Sequence, residues 1–278
     1  MRLDVKKTYK LFIGGQFPRS ESGRSYEITS PRGEFLANAA QASRKDLRDS
    51  VVAARSAFSN WSSATAFNRG QILYRIAEIM EGRRDQFIAE IAACEGVTLK
   101  KSSEQVDAAI DLWVWYAGWC DKYASIAGSQ NPIAGPFYNF TTPEPLGVVG
   151  AIADQKSSLL GLVHAIAPII TSGNCAVVIA HERAPLSAIT LGEVLATSDL
   201  HAGVVNLLTG KVSELSPWLA AHMDVDGIDL SGVARKNISE LQHVAAENLK
   251  RCHSFTGESL ERILAFTESK TVWHPIGV

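Results

Sequence analysis

The chain has 278 residues, 46% of them apolar and 20% charged. That is the balance of a globular protein with a substantial core, not of a disordered one. A formal net charge of -2 makes no electrostatic case for nucleic acid or an anionic membrane as partner.

The opening MRLDVKKTYKLFIGG is too polar for a signal peptide, and no run approaches the roughly 20 apolar residues of a membrane span. A cytoplasmic protein is expected. The four cysteines, Cys94, Cys120, Cys175 and Cys252, match no zinc or redox spacing and are expected to be reduced and mostly buried. The seven histidines show no metal-ligand spacing, so no metal site is expected.

In chain order, YKLFIGGQF alternates and turns at Gly14-Gly15, a short hairpin, and YEITSP is a following strand. SRKDLRDSVVAARSAFSNW opens with a capping signature at Ser43 and Asp46. It places Leu47, Val51, Ala54, Phe58 and Trp61 on one helical face. The next run aligns Ile72, Ile76, Ile79 and Met80, then Phe87, Ile88 and Ile91, with a stop at Gly96. A third helix carries Trp113, Trp115 and Trp119, a stripe expected to serve packing. NPIAGPFYNFTT, residues 131–142, reads as a ribbon leaving the domain body.

From Gly147 onward, strands alternate with helices. GVVGAIA, CAVVIA, VVNLLTG, GIDLSG and KRCHSF are the strands. The helices are LLGLVHAIAPIITSG, ended by Gly173, then one starting with Pro185 near its first position, then PWLAAHM, then ARKNISELQHVAAENL. This pattern predicts an α/β fold with a doubly wound parallel, Rossmann-like sheet. Ligands in such folds sit beyond the carboxyl ends of the strands. The loop DQKSS, residues 154–158, lies at one such end.

The ordered motifs PLGVVGAI, AIAPIITSGNCAVVI, GVVNLLTG and LAAHMDVDGIDLSG resemble the aldehyde dehydrogenase superfamily, from about Leu11 to about Gly257. The resemblance implies a dinucleotide-binding-type domain over 1–130 and 143–258 and an oligomerisation ribbon over 131–142 and 266–278. It also implies loss of the parts that do chemistry. The family's Pro-Trp-Asn-Phe-Pro loop, whose Asn holds an oxyanion, falls on Asp154 to Ser158, so Lys156 takes the Asn position. The general base of Glu-Leu-Gly-Gly falls on Phe255. The catalytic domain with its nucleophilic Cys is expected to be absent, and no cysteine here is a substitute. The tail LAFTESKTVWHP resembles the family's C-terminal ribbon strand.

The implied cofactor positions are reduced to Glu182, Gly210 and Gly232. The family's Lys-Pro-Ser-Glu reads Ile179, Ala180, His181, Glu182, and its phosphate-facing hydroxyls have become Val233 and Ala234. No cofactor is expected, although NAD(P) is compatible with the fold. The pattern resembles the non-catalytic second module of family-16 aldehyde dehydrogenases. Three readings follow: an inactive subunit that assembles with itself or with an active aldehyde dehydrogenase; an NAD(P)-dependent aldehyde oxidoreductase; or a nucleotide- or anion-binding module using Lys156, His181, Arg235 and Lys236.

Overall fold

A computed structural model of the chain describes Leu3 and residues 5–277. Its N-terminal part begins with β1 (Thr8–Tyr9), β2 (Ser25–Thr29) and β3 (Phe35–Ala40), a small sheet in the order β1-β3-β2. The Gly14-Gly15 hairpin is present in minimal form. Ile13 and Gln16 exchange both backbone hydrogen bonds, at 3.0 Å each, around two glycines with φ of 58° and 74°. Phe12 next to it pairs with Leu207 and so covers an edge of the main sheet.

Four helices follow: α1 (Arg44–Ser63), α2 (Ala66–Gly82), α3 (Arg84–Glu95) and α4 (Leu99–Trp119). The capping box at the start of α1 is complete. Ser43 Oγ accepts from the Lys45 and Asp46 amides, and Asp46 Oδ2 accepts from the Ser43 amide at 2.8 Å. Leu47, Val51, Ala54 and Trp61 are buried against the sheet, and Phe58 packs beside them. Full burial of a side chain such as Leu47 or Val51 contributes roughly 1.5–3 kcal/mol. The long run after Asn68 forms two helices rather than one, parted at Arg83. The second stops where Gly96 takes a left-handed φ of 67°. Trp113 is fully buried, and Trp115 and Trp119 pack half-buried on the core, so the stripe serves packing as expected.

After α5 (Tyr123–Ala127), β4 (Ser129–Gln130) and β5 (Phe137–Pro145), the main sheet begins. Its elements are β6 (Val148–Ile152), α6 (Leu160–Thr171), β7 (Cys175–Ile179), α7 (Leu186–Leu195), β8 (Val205–Leu208), α8 (Val212–Ala221), β9 (Gly227–Asp229), α9 (Arg235–Ala246) and β10 (Arg251–His253). The order is β10-β9-β6-β7-β8, all parallel. This is the expected doubly wound sheet. It winds one way from β6 through β7 to β8 and the other way from β9 to β10, so its topological switch lies between β6 and β9.

Three local expectations shift. Pro185 stands one residue before the first turn of α7. Helix α8 begins five residues before PWLAAHM and carries Pro217 within it. The ribbon strand begins at Phe137, because Pro132, Gly135 and Pro136 interrupt the stretch before it, and it runs past Thr142 to Pro145. Pro143 and Pro145 are tolerated there because β4 faces only Phe140 and Thr141, leaving that edge open beyond them.

The chain ends with α10 (Glu261–Leu264) and β11 (Thr267–Pro275). β11 pairs antiparallel with β5 from Thr267↔Pro145 to Pro275↔Phe137. The tail therefore returns to the body of the fold before forming the ribbon.

Candidate functional site

The switch point is the place where a ligand is expected, and a cleft of about 680 Å³ opens there. The loop after β6 and the loop after β9 form its walls, the start of α9 its rim, and Phe255 with Arg262 its floor. The two loops touch: the Gly232 amide donates to Ile152 O at 3.1 Å. A Cβ on Gly232 would stand 2.1 Å from Ala153 O. Glycine is required here by this backbone approach, whatever the cleft binds.

The 154–158 loop is tied down from several sides. Asp154 Oδ1 accepts from the Lys156 amide at 3.2 Å. Gln155 Nε2 donates to Ala153 O at 2.7 Å, and its Oε1 accepts from the Glu182 amide at 2.9 Å. The opening of α6 is closed by side chains. The Ser158 amide donates to Glu95 Oε1 at 2.7 Å, the Leu159 amide to Gln105 Oε1 at 3.0 Å, and the Gly161 amide to Ser157 Oγ at 3.0 Å. Amides that could meet an oxyanion at this helix start are therefore spent, and the Glu95 carboxylate would repel one. Lys156 is exposed and borders this cleft and a second one.

The second cleft, about 670 Å³, lies between the β2 region and the loops after β6 and β7. Glu182 lines it, but its carboxylate already has a structural task. Oε2 accepts from the Val212 amide at 2.9 Å, which satisfies an orphan donor at the start of α8, where Lys211 offers no side-chain cap. Tyr26 Oη donates to Glu182 O at 3.0 Å. His181 Nδ1 accepts from the Arg183 and Ala184 amides, at 3.2 and 3.0 Å. Its Nε2 therefore carries the proton, toward Gln155 O at 2.9 Å. Burial holds this imidazole below its usual pKa. Ile179, which the resemblance aligns with the family's lysine, is buried. Gly210 lines neither cleft. It is buried at φ 140°, where a Cβ would lie 3.2 Å from the Ala42 amide nitrogen. The structure thus splits the expected cofactor positions: Glu182 in one cleft, Gly232 in the other, Gly210 in neither.

Phe255 sits where a general base would be expected. Its ring stacks on His253 at 5.7 Å and 12°, and the Arg262 guanidinium carbon lies 4.9 Å from its centre. The same guanidinium forms a buried ion pair, Arg262 Nη1 to Asp229 Oδ2, at 3.3 Å. Asp229 also accepts from the Ser231 hydroxyl and, at 2.8 Å, from the Ser231 amide. Burial nevertheless pushes the Asp229 carboxyl up, against the pull of Ser231 and Arg262. Sequence reasoning missed this pair. An Asp inside the apolar strand GIDLSG was a usable signal, since a buried carboxylate requires a partner. Nothing in LERILAF marked Arg262 as that partner.

None of the four cysteines lines the switch-point cleft. Burial pushes the Cys94, Cys120 and Cys175 thiols up to about 12, which leaves them unionised at neutral pH. Cys252 is also raised. Among the described residues no group of histidine, cysteine and carboxylate side chains is placed to hold a metal ion. No helix among them is long and apolar enough to cross a membrane.

A parallel sheet whose strands are joined through helices, with a cleft at its switch point, defines a dinucleotide-binding-type α/β domain. Residues 17–259 match the model of the aldehyde dehydrogenase family. The chain is 34% identical over 241 residues to retinal dehydrogenase 2 of Gallus gallus, covering 84% of this chain and 45% of that protein. It is 33% identical to the mitochondrial benzaldehyde dehydrogenase of Antirrhinum majus, over 80% of this chain and 42% of that one. Among solved structures, the NAD+ complex of an aldehyde dehydrogenase from Bacillus cereus superposes with a TM-score of 0.83 at 26% identity. That match covers 88% of this chain and 50% of that one. The HpcC protein of Thermus thermophilus does so at 0.85 and 30%, covering 90% and 48%. The chain belongs to the aldehyde dehydrogenase family, and it spans about half the length of the relatives it matches.

Proposed function

We propose that this protein is a catalytically silent member of the aldehyde dehydrogenase family that works by association, with itself or with an active aldehyde dehydrogenase. The observation that carries the reading is the ribbon. β11 pairs with β5 along nine positions, and β11 is an edge strand of that sheet. The ribbon leaves Phe137, Tyr138 and Trp273 exposed. A long free edge beside exposed aromatic side chains is an aggregation hazard unless another chain covers it.

The clefts support the silent half of the reading. Phe255 cannot act as a base, and Lys156 is a flexible exposed cation in place of a fixed oxyanion donor. The donor set also fits a dinucleotide poorly. The Glu182 carboxylate that would meet ribose hydroxyls is engaged at α8, and Ala234 brings no hydroxyl to the start of α9.

The test is the intact mass of the complex recovered with the tagged chain under mild conditions, with and without residues 271–278. The expected result is a defined assembly that loses mass on truncation while the chain stays folded. An unchanged oligomeric mass after truncation would sink the ribbon as the contact.

A second reading, an NAD(P)-dependent aldehyde oxidoreductase, draws on family membership and on the NAD+ complex of the Bacillus cereus relative. It requires NADH or NADPH formation from an aldehyde by the purified chain. Such activity, abolished by replacing one of the four cysteines, would displace the first reading.

A further inference from the structure

A hollow of about 510 Å³ lies between the start of α1 and the end of α8 and shares no lining residue with either cleft. Three cations, Arg44, Lys45 and Arg48, line it beside one carboxylate, Glu21. The cations stand at the wrong end of a helix. The first turn favours carboxylates and disfavours cations, yet Arg44 and Lys45 occupy that turn with a single acid, Asp46. Helix stability does not account for them. The Arg44 guanidinium carbon rests 4.0 Å from the centre of the Trp218 ring, and among the described residues Arg44 donates to no acceptor. Arg48 holds Asp49 through Nε and Nη2, at 3.2 and 3.0 Å. Glu21 is already engaged, by Ser43 Oγ at 3.0 Å and by Lys45 Nζ at 3.6 Å.

His222 lines the hollow from the end of α8. Its Nδ1 accepts from the Asp224 amide at 3.2 Å, so Nε2 carries the proton. Burial chiefly holds this imidazole below its ordinary pKa. Asp224 opposes that, and the charges of Lys250, Arg44 and Arg48 add to it. Lys250 is itself buried, and its Nζ has no partner among the described residues. The hollow is therefore a place of positive potential.

Apolar surface continues past its rim. Trp218 is half-buried, Met223 is 84% exposed and Leu249 is 92% exposed. Asn248 Nδ2 donates to Ala221 O at 3.5 Å, which sets Leu249 beside the end of α8. Leu249 adopts a left-handed φ of 59°, a strained conformation for leucine. An apolar side chain held in solvent by a strained backbone points to a contact surface.

We propose that this hollow docks an acidic segment of another protein. The segment sets carboxylates against Arg44, Arg48 and His222, and an aromatic or aliphatic side chain against Trp218, Met223 and Leu249. Charge complementarity names the occupant, since unengaged N–H donors stand next to apolar surface. A small ligand confined to the hollow would leave Met223 and Leu249 uncovered. An anionic membrane would be pressed against Glu21, Asp49 and Asp224, which a segment with spaced carboxylates avoids. None of the docking residues belongs to the ribbon or to either cleft, so docking here does not depend on whether the clefts turn over aldehyde.

The experiment screens the full chain against a displayed library of short random peptides and measures the enriched peptides by fluorescence polarisation. The variants are Arg44→Glu and Leu249→Gly, with thermal melting as the fold check. Arg44→Glu puts a carboxylate where the helix favours one, so the fold is retained. Leu249→Gly relieves the left-handed strain, so its melting temperature should not fall while its binding does. A merely structural role for Leu249 would lower both. The expected peptides combine Asp or Glu with aromatic or aliphatic residues and bind saturably. Affinity should drop roughly tenfold or more in Arg44→Glu and several-fold in Leu249→Gly.

Absence of enrichment, enrichment without acidic residues, or binding indifferent to either variant overturns the proposal. With no acidic peptide enriched, two results would reassign the surface. Binding to vesicles of phosphatidylcholine with phosphatidylserine, lost in Arg44→Glu, assigns it to lipid. A fall in the chain's own oligomeric mass in Arg44→Glu assigns it to contact between copies. Removal of residues 271–278 tests the ribbon separately, so a failed peptide screen leaves the ribbon reading untouched.

Discussion

Arg262 and Asp229 form an ion pair inside the fold, 3.3 Å apart with side chains 5% and 2% exposed. One partner comes from the end of β9 and the other from α10, so the pair fastens the tail to the central sheet. Removing one member of such a pair leaves a charge buried without compensation, at a cost of about 3–5 kcal/mol. Arg262→Leu is therefore expected to destabilise strongly. Adding Asp229→Asn should recover much of the loss. A double-mutant cycle by urea unfolding measures this, and additive effects of the two changes would contradict it.

The loop lock at His181 predicts sensitivity to acid. The native ring must be neutral, because Nδ1 accepts two amides and burial lowers its pKa. A histidine with a folded pKa below its unfolded value of about 6.5 contributes stability that is fully present above that pH. It loses this contribution as pH falls through the folded pKa, since the unfolded chain then binds more protons. His164, His222 and His253 are shifted in the same direction by burial and add to the effect. Urea midpoints should fall between pH 7 and pH 5, and less steeply in His181→Gln than in the parent. Equal slopes would remove His181 from the account.

Where the signals were local, the sequence showed them. The capping box at Ser43, the stop at Gly96 and the apolar strands from Val148 onward follow from side-chain type and spacing alone. Strand β3, FLANAA, carries no such signal, because alanine and asparagine have no strand preference, and its pairing with β1 and β2 is what makes it a strand. Helix α8 starts five residues ahead of its sequence signal for a related reason: its N-terminal donor is satisfied by Glu182, 30 positions earlier. At the site, the expectation for Lys156 and Phe255 came from the resemblance and not from any local signal. The groups that now shape the cleft, Arg262 with Asp229 and Glu95 with Gln105, meet only through tertiary structure. No spacing rule brings them together.

The cap on α8 gives a measurable consequence. Glu182→Ala removes the acceptor from the Val212 amide and should lower stability by about 1 kcal/mol. Glu182→Gln keeps a carbonyl acceptor and should cost less. Thermal melting of the two variants checks the order. If both behave as wild type, Glu182 is not a cap, and its carboxylate is again available to a ligand.

Gly232 decides whether the two cleft walls can touch. A methyl group there would stand 2.1 Å from Ala153 O and 2.4 Å from Ile152 O, both main-chain atoms that cannot swing aside. Gly232→Ala must break the Gly232 amide bond to Ile152 O or displace the end of β6. The expected loss is at least the roughly 1–3 kcal/mol of a strained site. Amide hydrogen exchange localises it, with protection falling first in residues 152–158 and 230–234. Gly257→Ala is the control, since nothing lies within 4 Å of a Cβ there. Its φ of 66° adds only local backbone strain, so its exchange pattern in the cleft should match wild type. If Gly232→Ala leaves the cleft loops as protected as before, the two loops are not held by that contact, and the walls of the site are free to part.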